Sequence, residues 1–102
     1  MNVFMPESVR KDIDAFDWHA RASAYRLVGL LEQYGNTLGM PIAKPIGGGL
    51  WELRSGTSPA IRILYGFCNN IAILVLVLKK QRPALLPREV ALARARLAVY
   101  CA

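Results

Sequence analysis

The sequence predicts an α+β fold: an antiparallel sheet of three to four strands, an N-terminal helical hairpin packed on it and a C-terminal helix. Three observations predict it. Apolar residues recur at three- to four-residue spacing across residues 7–34 and again across 87–100, the period of a helix with one buried side. Between these stretches, residues 50–78 fall into three runs of strand length parted by short breaks. Finally, 102 residues at 54% hydrophobic and 20% charged enclose one core and not a second, so residues 1–102 are expected to form a single domain.

Each element follows from its residues. Residues 2–5 open an edge strand that Pro6 cuts short. Val9, Ile13 and Phe16 mark a short first helix, and Asp12, Asp14 and Asp17 part it from a second, whose apolar stripe is Ala22, Tyr25, Leu27, Val28, Leu31 and Tyr34. Gly35-Asn36 supplies the stop. Residues 39–49, with Pro41, Pro45 and Gly47-Gly48-Gly49, read as loop; no Lys-Ser/Thr follows the glycines, which favours a turn over a phosphate cradle. Strands are expected at Leu50–Arg54, 60–67 and 71–78, with breaks of hairpin length at 55–59 and 68–70. In the second, Ile61, Ile63, Tyr65 and Phe67 alternate with Arg62, Leu64 and Gly66; the third is apolar on both sides and belongs inside the sheet. Pro87 suits the first turn of a closing helix with Val90, Ala93, Leu97 and Tyr100 on its inner side.

The charge is uneven. Residues 1–50 hold five basic and five acidic side chains, whereas 51–102 hold eight basic ones against Glu52 and Glu89, so the net +6 lies in the second half. That suits RNA or an acidic protein as partner. The longest uncharged apolar run, 71–78, is far short of the roughly 20 residues that span a membrane, and residues 1–20 hold no export signal, so a cytoplasmic protein without membrane contact is expected. Cys68 and Cys101 form no CxxC and have no histidine at ligand spacing; reduced thiols and no bound metal or cofactor are expected.

Gly39-Met40-Pro41, then Gly47-Gly48-Gly49-Leu50-Trp51-Glu52-Leu53-Arg54, then Arg62-Ile63-Leu64-Tyr65 resemble the phage-derived branch of the RelE/HigB toxin superfamily. Lys79-Lys80, Pro87-Arg88-Glu89-Val90 and the late Tyr100 extend the resemblance over about residues 7–100. It implies a RelE-like fold and the toxin of a type II toxin–antitoxin pair: a metal-independent endoribonuclease acting on mRNA in the ribosomal A site and inhibited by a helix-turn-helix antitoxin. Relatives often carry His-Gly-Phe before the lysine pair, where this chain has Val75-Leu76-Val77, so a histidine there is not the base. The segment Gln81 to Leu86 is also longer than the family's.

Attack by a ribose 2′-OH needs a proton acceptor and a cationic clamp for the phosphate. The resemblance implies that basic side chains on the sheet bind the phosphate, and the duties are expected of Arg62, Lys79, Lys80 and Tyr100: a lysine crowded by cations, Lys79 or Lys80, serves as acceptor, with Tyr100 as alternative proton carrier or stacking platform. Arg54, Arg82, Arg88, Arg94 and Arg96 are expected to hold RNA, with Arg54, Arg62 and the lysine pair converging on one side of the sheet. Arg62→Ala is accordingly expected to abolish toxicity in a folded protein. The lone histidine, His19, reads as a surface residue, Tyr65 as core, and Trp18 and Trp51 as core or interface anchors. A chain without a histidine base also fits a ParE-like inhibitor of DNA gyrase that cleaves no RNA, or an inactive phage-derived interaction module.

Overall fold

The computed structural model describes residues 1–56 and 60–101. They form three helices and one five-stranded sheet: β1 (Asn2–Phe4), α1 (Glu7–Asp14), α2 (Trp18–Tyr34), β2 (Ala43–Gly47), β3 (Leu50–Arg54), β4 (Ile61–Cys68), β5 (Ile71–Lys79) and α3 (Pro87–Tyr100). The order across the sheet is β1-β5-β4-β3-β2, antiparallel except that β1 runs parallel to β5. Two strands therefore exceed the core meander. β1 was expected as a marginal edge. β2 overturns the loop reading of residues 39–49: Pro45 sits on an outer strand, where a missing N–H costs no ladder bond, and a register shift between Pro45 and Gly47 absorbs the irregularity.

The punctuation is local chemistry. Asp17 caps α2, its Oδ1 accepting the Ala20 N–H at 2.9 Å, and Gly35 ends the helix at φ 55°. Gly47, Gly48 and Gly49 all have positive φ and turn β2 into β3, as the turn reading required. Asn69 and Asn70, at φ 52° and 64°, make the two-residue turn from β4 to β5, the left-handed pair that matches strand twist. The other expected break, 55–59, lies from Thr57 to Pro59 outside the described residues.

Each side of the sheet buries its own core. On one side Leu53, Ile61, Ile63, Tyr65 and Leu74 pack against Val9, Ile13, Leu27 and Leu31 of α1 and α2; on the other Leu50, Leu64, Ile73, Val75 and Leu76 meet Val90, Ala93 and Leu97 of α3. The α2 stripe is shifted from expectation: Ala20, Ala24, Leu27, Val28 and Leu31 are buried, whereas Tyr25 and Tyr34 are exposed. The Tyr25 hydroxyl donates to Asp14 Oδ1 at 2.7 Å instead. Trp18, 65% exposed, is not a core anchor; it stacks on the likewise exposed His19. Trp51 packs half-buried against Phe67.

The ladder between β4 and β5 slips by one residue between Leu64↔Leu76 and Tyr65↔Leu74. This bulge inverts the alternation along β5. Beyond it Val77 joins the core under α1 and α2, and Lys79 follows to that side.

The cysteines depart from the reduced thiols expected. Cys68 and Cys101 are bonded, their Cα atoms 5.6 Å apart, because α3 lies back across the sheet and returns Cys101 to the end of β4. No helix among the described residues is long and apolar enough to cross a membrane.

Candidate active site

Alternation along β3 turns Leu50, Glu52 and Arg54 to the α3 side, and alternation along β4 turns Arg62 and Leu64 there too. Arg54 and Arg62 are direct partners across the ladder, with Glu52 on the diagonal to Arg62. The result is a carboxylate between two guanidiniums. Glu52 Oε2 lies 3.1 Å from Arg62 Nε, and Glu52 Oε1 3.9 Å from Arg54 Nε. Both Glu52 and Arg62 are only 4% exposed, and neither Oε2 nor Nε has a hydrogen-bond partner: the contact is ionic, with angles unsuited to a hydrogen bond. Arg62 Nη2 donates to the Pro83 carbonyl, which the segment between β5 and α3 carries across the site.

These charges line a cavity of about 310 Å³ walled by Lys44, Ile46, Pro83, Leu85 and Val90. Arg54 also forms the wall of a second, larger concavity of about 600 Å³, which includes Pro41, Ser55, Gly56 and Lys80. A charged track thus runs from buried Arg62 through Glu52 and Arg54 to exposed Lys80. Guanidiniums suit a phosphate, and an adjacent carboxylate suits a hydroxyl proton.

The structure brings together part of the expected set. Arg54 and Arg62 share one side of the sheet as expected. Lys79 does not join them: the bulge sends it to the α1–α2 side, where its Nζ is 3.7 Å from Asp17 Oδ2 and 5.5 Å from the centre of the Phe16 ring. Lys79 and Lys80 thus diverge, because successive residues leaving a strand point to opposite sides. Tyr100 lies in the last turn of α3 against Phe4 of β1, ring centres 5.4 Å apart, and lines a separate cavity with Val75 and Arg96. It thus meets the edge of the sheet at the far end of α3, remote from the Glu52 cavity, whose α3 residue is Val90 in the first turn.

Three of the remaining arginines have structural partners. Arg82 Nη2 donates to Glu89 Oε2 at 2.8 Å, Arg94 Nη1 to the Gly47 carbonyl at 2.9 Å and Arg96 Nη1 to the Val75 carbonyl at 2.9 Å; Arg88 is exposed on α3. Tyr65 is buried core, and that burial pushes its hydroxyl up to about 12, which removes it as a proton carrier near neutrality. Among the described residues no three histidine, cysteine, aspartate or glutamate side chains converge as metal ligands.

Sequence reasoning missed Glu52 and Lys44 as members of the site. For Glu52 the signal was available: it is one of two acids in a basic half and alternates with Arg54 on a strand facing Arg62. Lys44 was hidden by the loop reading of its strand.

Residues 11–98 match the model of a protein family described as phage derived protein Gp49-like. No curated protein matches the chain.

Proposed function

The chain belongs to the Gp49-like family of phage-derived proteins, within the RelE-like toxin group, and from that membership we propose that it is the toxin of a type II toxin–antitoxin pair which cleaves mRNA on the ribosome. The observation that carries the nuclease half is Glu52 set between Arg54 and Arg62 at the wall of a cavity. In this reading Glu52 accepts the ribose 2′-OH proton, the 2′-oxygen attacks phosphorus, and the P–O5′ bond breaks as solvent protonates the leaving oxygen. A 2′,3′-cyclic phosphate and a 5′-hydroxyl result. Arg54 and Arg62 hold the charge that builds on the phosphate oxygens, and Lys80 holds the backbone beyond the cut. Arg62 reaches phosphate by exchanging the Pro83 carbonyl for a phosphate oxygen, so the 81–86 segment must lift as RNA enters. Lys79 and Tyr100 take no part, and neither does a metal. The proposed protein partner is a small acidic helix-turn-helix antitoxin.

One observation favours the second reading, a ParE-like gyrase inhibitor: Arg62 is already held by Glu52 and Pro83, as in a closed binding surface. Induced expression separates the two. Growth arrest with new mRNA 5′ ends by primer extension, abolished by Arg54→Ala and weakened by Lys80→Ala, supports the ribonuclease. Growth arrest with intact mRNA and relaxed plasmid DNA supports the inhibitor and overturns it.

A further inference from the structure

The side of α3 turned away from the sheet carries Arg88, Leu92, Ala95 and Val99, spaced four, three and four residues apart, and all four are exposed. Leu92 is 43% and Val99 73% exposed, although Val90, Ala93 and Leu97 already satisfy the sheet side of the same helix. Spacing of this kind aligns side chains in one seam along a helix, the geometry by which a second helix packs, and Ala95 in the middle permits close approach. The helix's charges are nearly all positive. Its one acid, Glu89, is engaged by the Leu86 N–H at 2.7 Å and by Arg82, and Arg94 and Arg96 are turned to the Gly47 and Val75 carbonyls, which leaves Arg88 as the charge within the seam.

We infer that this outward side of α3 is a docking surface for an acidic amphipathic α-helix of a separate chain. The proposal rests on the toxin reading for the existence of such a chain and adds where it binds. Two exposed aliphatic side chains at seam spacing serve a helix better than a nucleic acid, which takes phosphate contacts or stacking rings. A second copy of this chain is disfavoured by charge: it brings another Arg88, and a further net +6, to the same stripe. The seam lies opposite Val90, which faces the Glu52 cavity, so a helix bound here leaves the cavity open and blocks approach to the ribosome by its bulk.

The test uses the full chain co-expressed with the product of the open reading frame beside its own, and Leu92→Glu and Val99→Glu, both at exposed positions. The wild-type complex is expected to weaken between about 50 and 500 mM salt, and each substitution to weaken it about tenfold or more. Each variant alone still arrests growth, and co-expression no longer rescues it. A wild-type complex that both variants form equally well overturns this surface and leaves the toxin reading standing. No complex with the wild type overturns both. Variants that keep the partner but lose ribosome binding assign the seam to RNA, and a chain that sediments alone as a dimer split by either variant assigns it to a second copy; each contradicts the proposal.

Discussion

Replacing Arg62 by methionine leaves Glu52 as a carboxylate 4% exposed with no guanidinium at 3.1 Å, and the expected loss of stability is large. At that separation the attraction is about 5 kcal/mol for an effective dielectric of about 20, offset by removing both charges from water. Losing one partner forfeits the attraction and keeps the other's desolvation, a cost of about 3–5 kcal/mol. That is a large share of the roughly 5–15 kcal/mol that holds a domain together. Arg62→Ala is therefore expected to compromise the fold, contrary to the reading from sequence alone. Replacing both, as Glu52→Leu with Arg62→Met, exchanges two buried charges for apolar groups of similar size and is expected to return stability to within about 1 kcal/mol of wild type. Urea unfolding followed by circular dichroism on the wild type, both single variants and the double variant completes the cycle. A single variant within about 0.5 kcal/mol of wild type, or a double variant as unstable as the sum of the singles, refutes the reasoning.

Three further perturbations probe what positions the site. Gly66→Ala directs a Cβ into Leu97 and to 3.0 Å from the Gly49 carbonyl, and is expected to cost about 1–3 kcal/mol in thermal or urea unfolding; unchanged stability means α3 does not lie where described. Glu89 is held below the usual glutamate range by the Leu86 N–H and then by Arg82, so its contribution is present at neutral pH and lost as pH falls through the depressed value. Glu89→Gln is expected to cost about 1 kcal/mol at pH 7, the difference fading below about pH 4; a constant difference contradicts it. Cys101→Ser opens a link between residues 33 apart and is expected to cost about 3–4 kcal/mol relative to the oxidised wild type, a gap that vanishes when the wild type is reduced.

Much of this geometry was legible in the sequence. Helical period gave α1, α2 and α3, alternation gave the meander, and glycine and proline gave its punctuation, because each is a local consequence of residue type. Arg54 and Arg62 were assigned to one side of the sheet for the same reason. What escaped depends on contacts distant along the chain. The Val75 bulge is visible only when β5 is laid against β4, and it alone redirects Lys79. Pro45 argued for loop because sequence does not say that its strand is outermost, and Lys44 was lost with it. Tyr25 and Tyr34 were counted in the α2 stripe yet lie outside: Tyr25 is rotated off the stripe of Ala20, Ala24, Leu27 and Leu31, and Tyr34 ends the helix beyond the sheet contact. The pairing of Cys68 with Cys101 required knowing that α3 folds back.

The most direct measurement is cleavage of a defined mRNA on purified programmed ribosomes by the wild type and by the Glu52→Leu/Arg62→Met double variant, with a second mRNA carrying a single 2′-deoxy sugar at the mapped cut. The wild type is expected to leave a 2′,3′-cyclic phosphate on the ordinary mRNA and to spare the 2′-deoxy one. The double variant, folded, is expected to be slower by at least the ~10²–10³ that loss of one clamp costs. Cleavage of the 2′-deoxy mRNA, or a double variant that cuts at the wild-type rate, contradicts a carboxylate–guanidinium ribonuclease built on Glu52 and Arg62.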